Sequence, residues 1–274
     1  MGREVKPDNQ IVPGMNRDHN LTVFSILHKK IWGYLILGLS VILLVFFLSR
    51  HDDIPSSAEI RGSVSPAAIP DTFAVGNVIN YGSYEQDNDL TNGSESVEWL
   101  VLAVEGDRAL LISRYALDVK PFNVKWSRVT WEKSSLRKWL NGDFLSHAFS
   151  PAEQARILQV VNQNPDNPTT GMLGGKDTKD RIFLLSIDEA KIYFLSDEIR
   201  QCRGTAYAEA NEPYKNDDYE EAWWWLRTRG ASSKTASLVC FSGYVNTVGY
   251  GVNNTGGYLR PAFWLDLQPA NIMM

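Results

Sequence analysis

The feature that most constrains this chain is an uncharged apolar run at residues 31–48. As a helix, those 18 residues would span about 27 Å, close to the hydrocarbon thickness of a bilayer. A buried core helix is usually shorter and carries a polar stripe. A cleaved signal peptide fits less well, because the run starts late and no small-residue cleavage site precedes Arg50. The run therefore predicts an uncleaved, single transmembrane helix at 31–49.

The charges that flank this run predict its orientation. Five Lys and Arg residues lie within residues 1–30, and Lys29 and Lys30 adjoin the run, whereas Asp52 and Asp53 follow it on the other side. Positive charge marks the cytoplasmic side of a membrane helix. The predicted order is a cytoplasmic disordered tail (1–30), the transmembrane helix, an extracellular Ser/Ala/Pro-rich linker (50–71), a folded domain (72–268) and a C-terminal tail (269–274).

Composition excludes several classes of protein. Residues 1–50 hold six of the 27 Lys and Arg and three of the 32 Asp and Glu, which leaves the rest of the chain with a net charge of -8. That balance argues against nucleic acid as a partner, and against anionic lipid or polymer unless a cation bridges them. An aromatic content of 11% excludes general disorder, and two cysteines cannot form a disulfide-dense scaffold.

Strand patterns lie at both ends of the domain. Apolar residues at 97–104 and 108–113 are separated by Glu105-Gly106-Asp107, which predicts a hairpin. A second hairpin is predicted around Ser242-Gly243, from 238–241 to 244–247, and 259–267 closes the domain. A short buried strand is expected at 182–185.

Helix signals fall between these strands. A helix is expected at 131–140, ended by Asn141-Gly142. Capping boxes predict two more helices, one after Ser150 that buries Ile157, Leu158 and Val161, and one from Ser186 to about Leu195. Strands at both ends with helices between them predict an α+β fold.

Several sequence patterns resemble the bacterial domain-of-unknown-function family 6273. They include Trp131-x-x-Ser134-x-Leu136-Arg137-x-Trp139-Leu140-Asn141, Asp180-Arg181-Ile182-Phe183-Leu184-Leu185, Cys202-x-x-Thr205, Trp224-Trp225-Leu226-Arg227 and Leu259-Arg260-Pro261-Ala262. The C-terminal patterns are in turn similar to C-type-lectin-like domains and to the formylglycine-generating enzyme group. This resemblance implies a C-type-lectin-like mixed domain in a bacterial cell envelope. The copper-binding cysteine pair of the formylglycine-generating enzymes is closely spaced, which the cysteines of this chain are not, so that activity is not implied.

The tryptophan-rich segment is the leading candidate binding site. Alternation along a strand would place Trp223, Trp225 and Arg227 on one face. Indole rings beside a guanidinium would suit sugar rings or peptide stems, with Arg229 and Arg260 adding charge. The alternative is a structural role, with Arg227 or Arg260 held by a buried carboxylate such as Asp188 or Glu189. We expect both Arg227 and Arg260 to be more than half buried and their strands to be neighbours.

Cysteine and metal chemistry leave further alternatives open. Cys202 and Cys240 are either a disulfide or two unpaired thiols. Asp217, Asp218 and Glu220 are weak calcium candidates without an EF-hand pattern, and no other cofactor is predicted.

Catalysis has little support in the sequence. His147 is expected to be a surface residue, and no nucleophile–base pair identifies catalytic residues. We expect a non-enzymatic module that binds a glycan, peptidoglycan or a protein. The alternatives are an envelope hydrolase or modifying enzyme using Asp177, Asp180 or Glu189, and a structural or sensory ectodomain.

Overall fold

A four-stranded and a five-stranded sheet organise the part of the chain that the structure describes, residues 71–214 and 220–268 of a computed structural model. The strands are β1 (Val78–Tyr84), β2 (Glu95–Glu105), β3 (Arg108–Ser113), β4 (Asp118–Val119), β5 (Val160–Asn162), β6 (Thr178–Asp180), β7 (Trp224–Arg229), β8 (Thr235–Val239), β9 (Val245–Gly251), β10 (Tyr258–Leu259) and β11 (Ala262–Asp266). The first sheet has the order β1-β2-β3-β11 and the second β4-β10-β7-β8-β9, while β5 and β6 form a separate ribbon.

Short helices lie in the chain segments that connect the strands. They are α1 (Ser135–Trp139), α2 (Leu145–Ala148), α3 (Pro151–Arg156), α4 (Ile187–Tyr193), α5 (Asp197–Arg200) and α6 (Ala206–Asn211). Turns of 3-10 helix occur at Asp71–Phe73 and Trp131–Lys133, and a π-helical turn spans Leu140–Phe144. The predicted α+β fold is confirmed.

The apolar run at 31–48, the linker and the C-terminal tail lie outside the described residues. Among the residues that are described, no helix has both the length and the apolar character needed to cross a bilayer.

Both predicted hairpins are confirmed. In β2, Val97, Trp99 and Val101 alternate with more exposed residues and are almost completely buried, as expected for a strand with one face on the core. Strands β2 and β3 pair antiparallel, as do β8 and β9. Gly243 turns the second hairpin with a φ of 80°, a left-handed conformation that a glycine adopts without strain.

An aromatic cluster forms the core against the first sheet. The Trp99 and Phe263 ring centroids lie 4.6 Å apart in an edge-to-face arrangement, and Phe149 lies 5.5 Å from Phe263. Phe263 comes from β11, which pairs with β3 by placing Phe263 opposite Leu111. The last strand of the domain therefore closes the core formed by the first hairpin.

The helix predicted at 131–140 does not end at Asn141. It continues through the π-helical turn into α2. The Asn141 side chain donates to the carbonyls of Arg137 (3.1 Å) and Ile182 (2.8 Å) and accepts from the Arg181 N–H (2.8 Å). Asn141 therefore fastens the 181–182 segment to the helix instead of ending it.

Both capping boxes are present, but the first helix is shorter than predicted. Helix α3 ends at Arg156, because Ile157 forms an isolated bridge with Leu265 and the Leu158 N–H donates to the Trp264 carbonyl. Val161, predicted to be buried, is 61% exposed. Segment 182–185 is buried as expected, although it makes only a single bridge, between Phe183 and Ala262.

Candidate functional site

The tryptophan-rich strand is buried, so the predicted binding platform is wrong. Trp223, Trp225 and Arg227 are only 7%, 0% and 3% exposed. Strand β7 lies inside the five-stranded sheet, between β10 and β8, and both of its faces are covered. The Trp223 ring packs edge-to-face against Trp225 (4.9 Å) and Tyr250 (5.1 Å). These indoles therefore stabilise the core and offer no open surface to a sugar ring.

Arg227 forms the predicted buried ion pair. Its guanidinium makes a bidentate contact with Glu189, with Nη2 2.7 Å from Oε1 and Nη1 on Oε2. Nη1 also donates to the Leu184 carbonyl (2.8 Å) and Nη2 to the Gln163 carbonyl (3.0 Å). Glu189 also accepts from the Ser186 N–H (2.9 Å) in the capping box of α4. The pair thereby joins β7, α4 and the strand β5 region.

Arg260 is buried as predicted, but without a counter-charge. Its side chain lies between the rings of Phe194 (5.0 Å) and Trp224 (5.3 Å), and its Nε donates to the Ser113 carbonyl (2.9 Å). No carboxylate among the described residues forms a salt bridge with it. Burial lowers the pKa of its guanidinium. Arg260 is therefore held by cation–π contacts, and Arg227 is the arginine that forms the predicted ion pair.

The strand that carries Arg227 and the strand that Arg260 directly follows are neighbours, as predicted. Strand β10 pairs parallel with β7, with Tyr258 opposite Trp224. It lies on the side of β7 opposite β8, so the Ser242-Gly243 hairpin does not bring them together. The segment between β9 and β10 instead carries the chain past β8 and β7 to the other side of β7.

Arg227 is paired with a carboxylate, whereas Arg260 lies between two aromatic rings. Replacing the two arginines should therefore lower the free energy of unfolding by unequal amounts. Arg260→Met should lower the free energy of unfolding by no more than about 1–2 kcal/mol, because an apolar chain fits between two rings and no carboxylate is left unpaired. Urea unfolding of the variant measures this cost. A loss as large as that of Arg227→Met would contradict the interpretation.

Arg229, the remaining arginine of the predicted platform, is partly exposed and holds two loops. Its Nε donates to the Val129 carbonyl (2.8 Å) and its Nη1 to the Leu173 carbonyl (3.0 Å). Its contacts are structural.

Asp180, a catalytic candidate of the alternative enzyme, has no exposed surface. Its Oδ1 accepts from Arg137 Nε (2.6 Å), and its Oδ2 accepts from Trp131 Nε1 (3.0 Å), Thr178 Oγ1 (2.7 Å) and Asn162 Nδ2 (3.2 Å). A completely buried carboxylate whose oxygens are held by four donors is out of a substrate's reach. Asp180 therefore organises the fold.

The other candidates for catalysis also lack a catalytic arrangement. Glu189 is paired with Arg227, and Asp177 is an exposed residue that accepts from the Asn164 N–H (3.1 Å). His147 is exposed, as expected, with Nδ1 2.6 Å from the Asp143 carbonyl.

A polar cleft lies directly beside the Arg227–Glu189 pair. It has a volume of about 470 Å³ and is walled by β3, β5, β11 and α4. Its polar lining side chains are Arg108, Gln159, Asn162, Gln163, Glu189 and Tyr193. The volume lies within the range of small-molecule sites.

The cleft offers mainly neutral hydrogen-bonding groups. Gln159 and Gln163 expose side-chain amides, which donate and accept. Burial raises the pKa of Tyr193, with the Glu189 carboxylate adding to the effect, so its hydroxyl stays protonated and available as a donor. Arg108 lies over the Trp264 ring, 4.3 Å from its centroid. This set suits an uncharged polar ligand.

Sequence reasoning missed this cleft because its walls come from distant segments. Strand β5 and helix α4 meet β3 and β11 only in the folded domain. No local spacing joins Gln159, Tyr193 and Trp264. Among the lining residues, Glu189 was identified from the sequence as a candidate partner of a buried arginine. In the structure it pairs with Arg227 and lies at the edge of the cleft.

The structure describes only one of the three calcium candidates. Asp217 and Asp218 lie outside the described residues, and Glu220 is exposed and pairs with Arg203. A different group, Glu85, Asp87 and Glu95, brings three carboxylate oxygens within 4.8 Å of one another.

In this set of three acidic residues, Asp87 and Glu95 accept hydrogen bonds from their own loop. Glu95 accepts from the Gln86 N–H (2.7 Å), while Asp87 accepts from the Asp89 N–H (2.8 Å) and the Asn92 amide (2.8 Å). Hydrogen bonds to these donors lower the pKa of Asp87.

The cysteines are both free, so the disulfide alternative is wrong for this structure. Cys202 is buried and its thiol lies 3.5 Å from the Arg114 carbonyl, whereas Cys240 lies in the β8–β9 turn beside Asn246. The two thiols have different neighbours and do not meet.

Burial raises the pKa of both thiols, which makes them slow to react. We expect a thiol reagent to modify only the half-buried Cys240 in the native protein and to reach Cys202 after unfolding. Cys240→Ser should remove the native reaction. Two thiols that resist the reagent even in denaturant, until a reductant is added, would indicate a disulfide instead.

Comparison with known proteins gives one match. A family model described as a domain of unknown function, DUF6273, matches residues 106–267, more than half of the chain. No curated protein and no solved structure matches. The match includes the cleft, both buried arginines and Asp180. The chain therefore belongs to the DUF6273 family.

Proposed function

We propose that this chain is a non-enzymatic binding protein whose ligand is held in the polar cleft beside the Arg227–Glu189 pair. The observation that carries the proposal is the lining of the cleft, where amides and a protonated tyrosine hydroxyl surround a space of about 470 Å³. Groups of this kind hydrogen-bond hydroxyl and acetamido groups without requiring a charged ligand. A saccharide of the bacterial cell envelope, such as a peptidoglycan fragment, has this chemistry.

Binding is better supported than catalysis. Hydrolysis of a glycosidic bond generally uses two carboxyl groups that flank the scissile bond. Glu189 is the carboxylate that lines the cleft, and Arg227 engages both of its oxygens. No second carboxyl group therefore lies among the residues that line the cleft.

The proposal includes a single transmembrane helix at 31–49, with the domain outside the cell. The apolar run and the Lys29-Lys30 flank support it. Protease added to intact protoplasts should remove the domain and leave a small anchored fragment, whereas full protection would contradict this topology. The mixed helix and sheet content is compatible with the C-type-lectin-like relationship, which stays part of the proposal.

The binding proposal is tested with the full chain in a non-ionic detergent on an array of glycans and peptidoglycan fragments. We expect retention of a neutral or acetamido-bearing saccharide, and about tenfold weaker binding by Gln163→Ala or Tyr193→Phe, the cost of one or two hydrogen bonds. Tyr244→Phe is the matched control, because Tyr244 is exposed in the β8–β9 turn, away from the cleft. Binding that is equal in all variants, or release of cleaved product, would overturn the proposal.

A further inference from the structure

A second cavity, of about 340 Å³, is basic although the domain is acidic. Four cationic side chains line it, Lys125, Arg128, Lys133 and Lys138, together with the hydroxyls of Ser127 and Ser135. Residues 119–142 carry six Lys and Arg but only one acid, Glu132. The net charge of -8 therefore hides a local excess of positive charge. Charges beyond about 10 Å are largely screened at 0.1 M salt, so a ligand at this cavity is influenced mainly by the local cations.

The four cations have no ion-pair partner in the part of the chain that the structure describes. All four residues are exposed, and no salt bridge joins any of them to a carboxylate within residues 71–214 and 220–268. The neighbouring basic residues differ, since Arg137 is paired with Asp180 and Lys120 with Asp118. The cavity thus concentrates the unpaired charges of this segment.

The loop that carries Lys125 and Arg128 is held in place before any ligand binds. The Val124 N–H donates to Ser135 Oγ (2.9 Å), and Asn123 Oδ1 accepts from the Ser135 N–H (3.1 Å). The Val129 N–H donates to the Ser233 carbonyl (3.0 Å). A ligand therefore meets a positioned backbone, which reduces the ordering cost of binding.

Trp126 lies on the same loop. It is 53% exposed and lies over Gly251, where an added side-chain carbon would be 2.7 Å from the ring. Lys234 lies 5.4 Å from the ring centroid and adds a further cation nearby. Trp126 is thus a natural reporter for ligands in this cavity.

We propose that this basic cavity binds the phosphate group of an anionic ligand. Several ammonium groups, a guanidinium and two hydroxyls around one small space match a tetrahedral dianion or a phosphodiester better than a neutral molecule. The same chemistry is present in a soluble glycerol phosphate and in the headgroup of phosphatidylglycerol. This site is separate from the saccharide cleft, with which it shares no lining residue.

The test uses the full chain in non-ionic detergent and follows tryptophan fluorescence. One arm adds glycerol 1-phosphate, and another adds phosphatidylglycerol to the micelles, with phosphatidylcholine as the uncharged comparison. Trp126→Phe identifies the signal that comes from the cavity. We expect saturable binding in at least one anionic arm, weakened about tenfold when salt rises from about 0.05 M to about 0.5 M.

The variant Arg128→Glu/Lys133→Glu should lose this binding by about tenfold or more, because it reverses two cavity charges. The variant Lys176→Glu/Lys191→Glu has the same net charge but alters exposed lysines outside the cavity, and it should bind normally. Binding to the phosphate compound alone identifies a soluble ligand, and binding to the anionic micelle alone identifies a lipid headgroup. No binding in either arm, or equal loss in both charge-reversal variants, would overturn the proposal.

Discussion

Arg227→Ala should lower the free energy of unfolding by about 3–5 kcal/mol, the range for breaking a buried ion pair. The substitution removes both bonds to Glu189 and leaves that carboxylate partly buried against the α4 N-terminus without its cation. It also strips the Leu184 and Gln163 carbonyls of their donor. Urea unfolding followed by circular dichroism measures the loss.

The controls separate charge pairing from simple truncation. Arg128→Ala removes an exposed arginine that has no salt bridge to any described residue, and it should change stability by less than about 0.5 kcal/mol. The double variant Arg227→Met/Glu189→Gln should be more stable than Arg227→Met alone, because it leaves no unpaired carboxylate. If Arg227→Ala unfolds like the wild type but loses saccharide binding, Arg227 is functional and the structural interpretation is wrong.

Asp180→Ala should be similarly destabilising, by about 3–5 kcal/mol. Its loss leaves Arg137 without a counter-charge and leaves the donors of Trp131, Thr178 and Asn162 without their acceptor. Unpaired buried donors cost about 1–3 kcal/mol each, although surrounding groups relax to recover part of that loss. Chemical denaturation of the purified full chain gives the value.

Asp177→Ala is the matched control, since Asp177 is an exposed aspartate three residues earlier. It should cost under about 1 kcal/mol, the worth of its bond to the Asn164 N–H. Equal costs for the two aspartates would show that Asp180 does not organise this region.

Features set by nearby residues were predictable from the sequence. The hairpins depend on short apolar runs around turn residues, and the capping boxes depend on Ser186 with Glu189 and on Ser150 with Glu153. The burial of Arg227 and its pairing with an acidic residue also followed, because a charge next to tryptophans on a strand needs a partner if it is buried.

Features that depend on distant contacts were not predictable. Alternation along β7 suggested one open face, but both faces of the strand are buried in the folded domain. Asn141 looks like a helix end, yet its side chain binds residues 181 and 182, forty positions away. The cleft likewise exists only where β3, β5, β11 and α4 meet.

The patterns that resemble the family have a physical basis in the structure. Trp131 and Arg137, from one pattern, both donate to Asp180, which begins another. Asn141 ends the first pattern and binds the backbone at Arg181. These patterns therefore describe contacts that hold the fold together.

Hydrogen–deuterium exchange with a soluble peptidoglycan fragment tests directly whether the polar cleft holds the ligand. The full chain is compared with and without the fragment, and the fragment is analysed afterwards for cleavage. Binding in the polar cleft predicts slower exchange at residues 159–163 and 189–193, no change specific to 223–227, and an intact fragment. Protection confined to other segments would contradict binding in the cleft, and a cleaved fragment would contradict a non-enzymatic function.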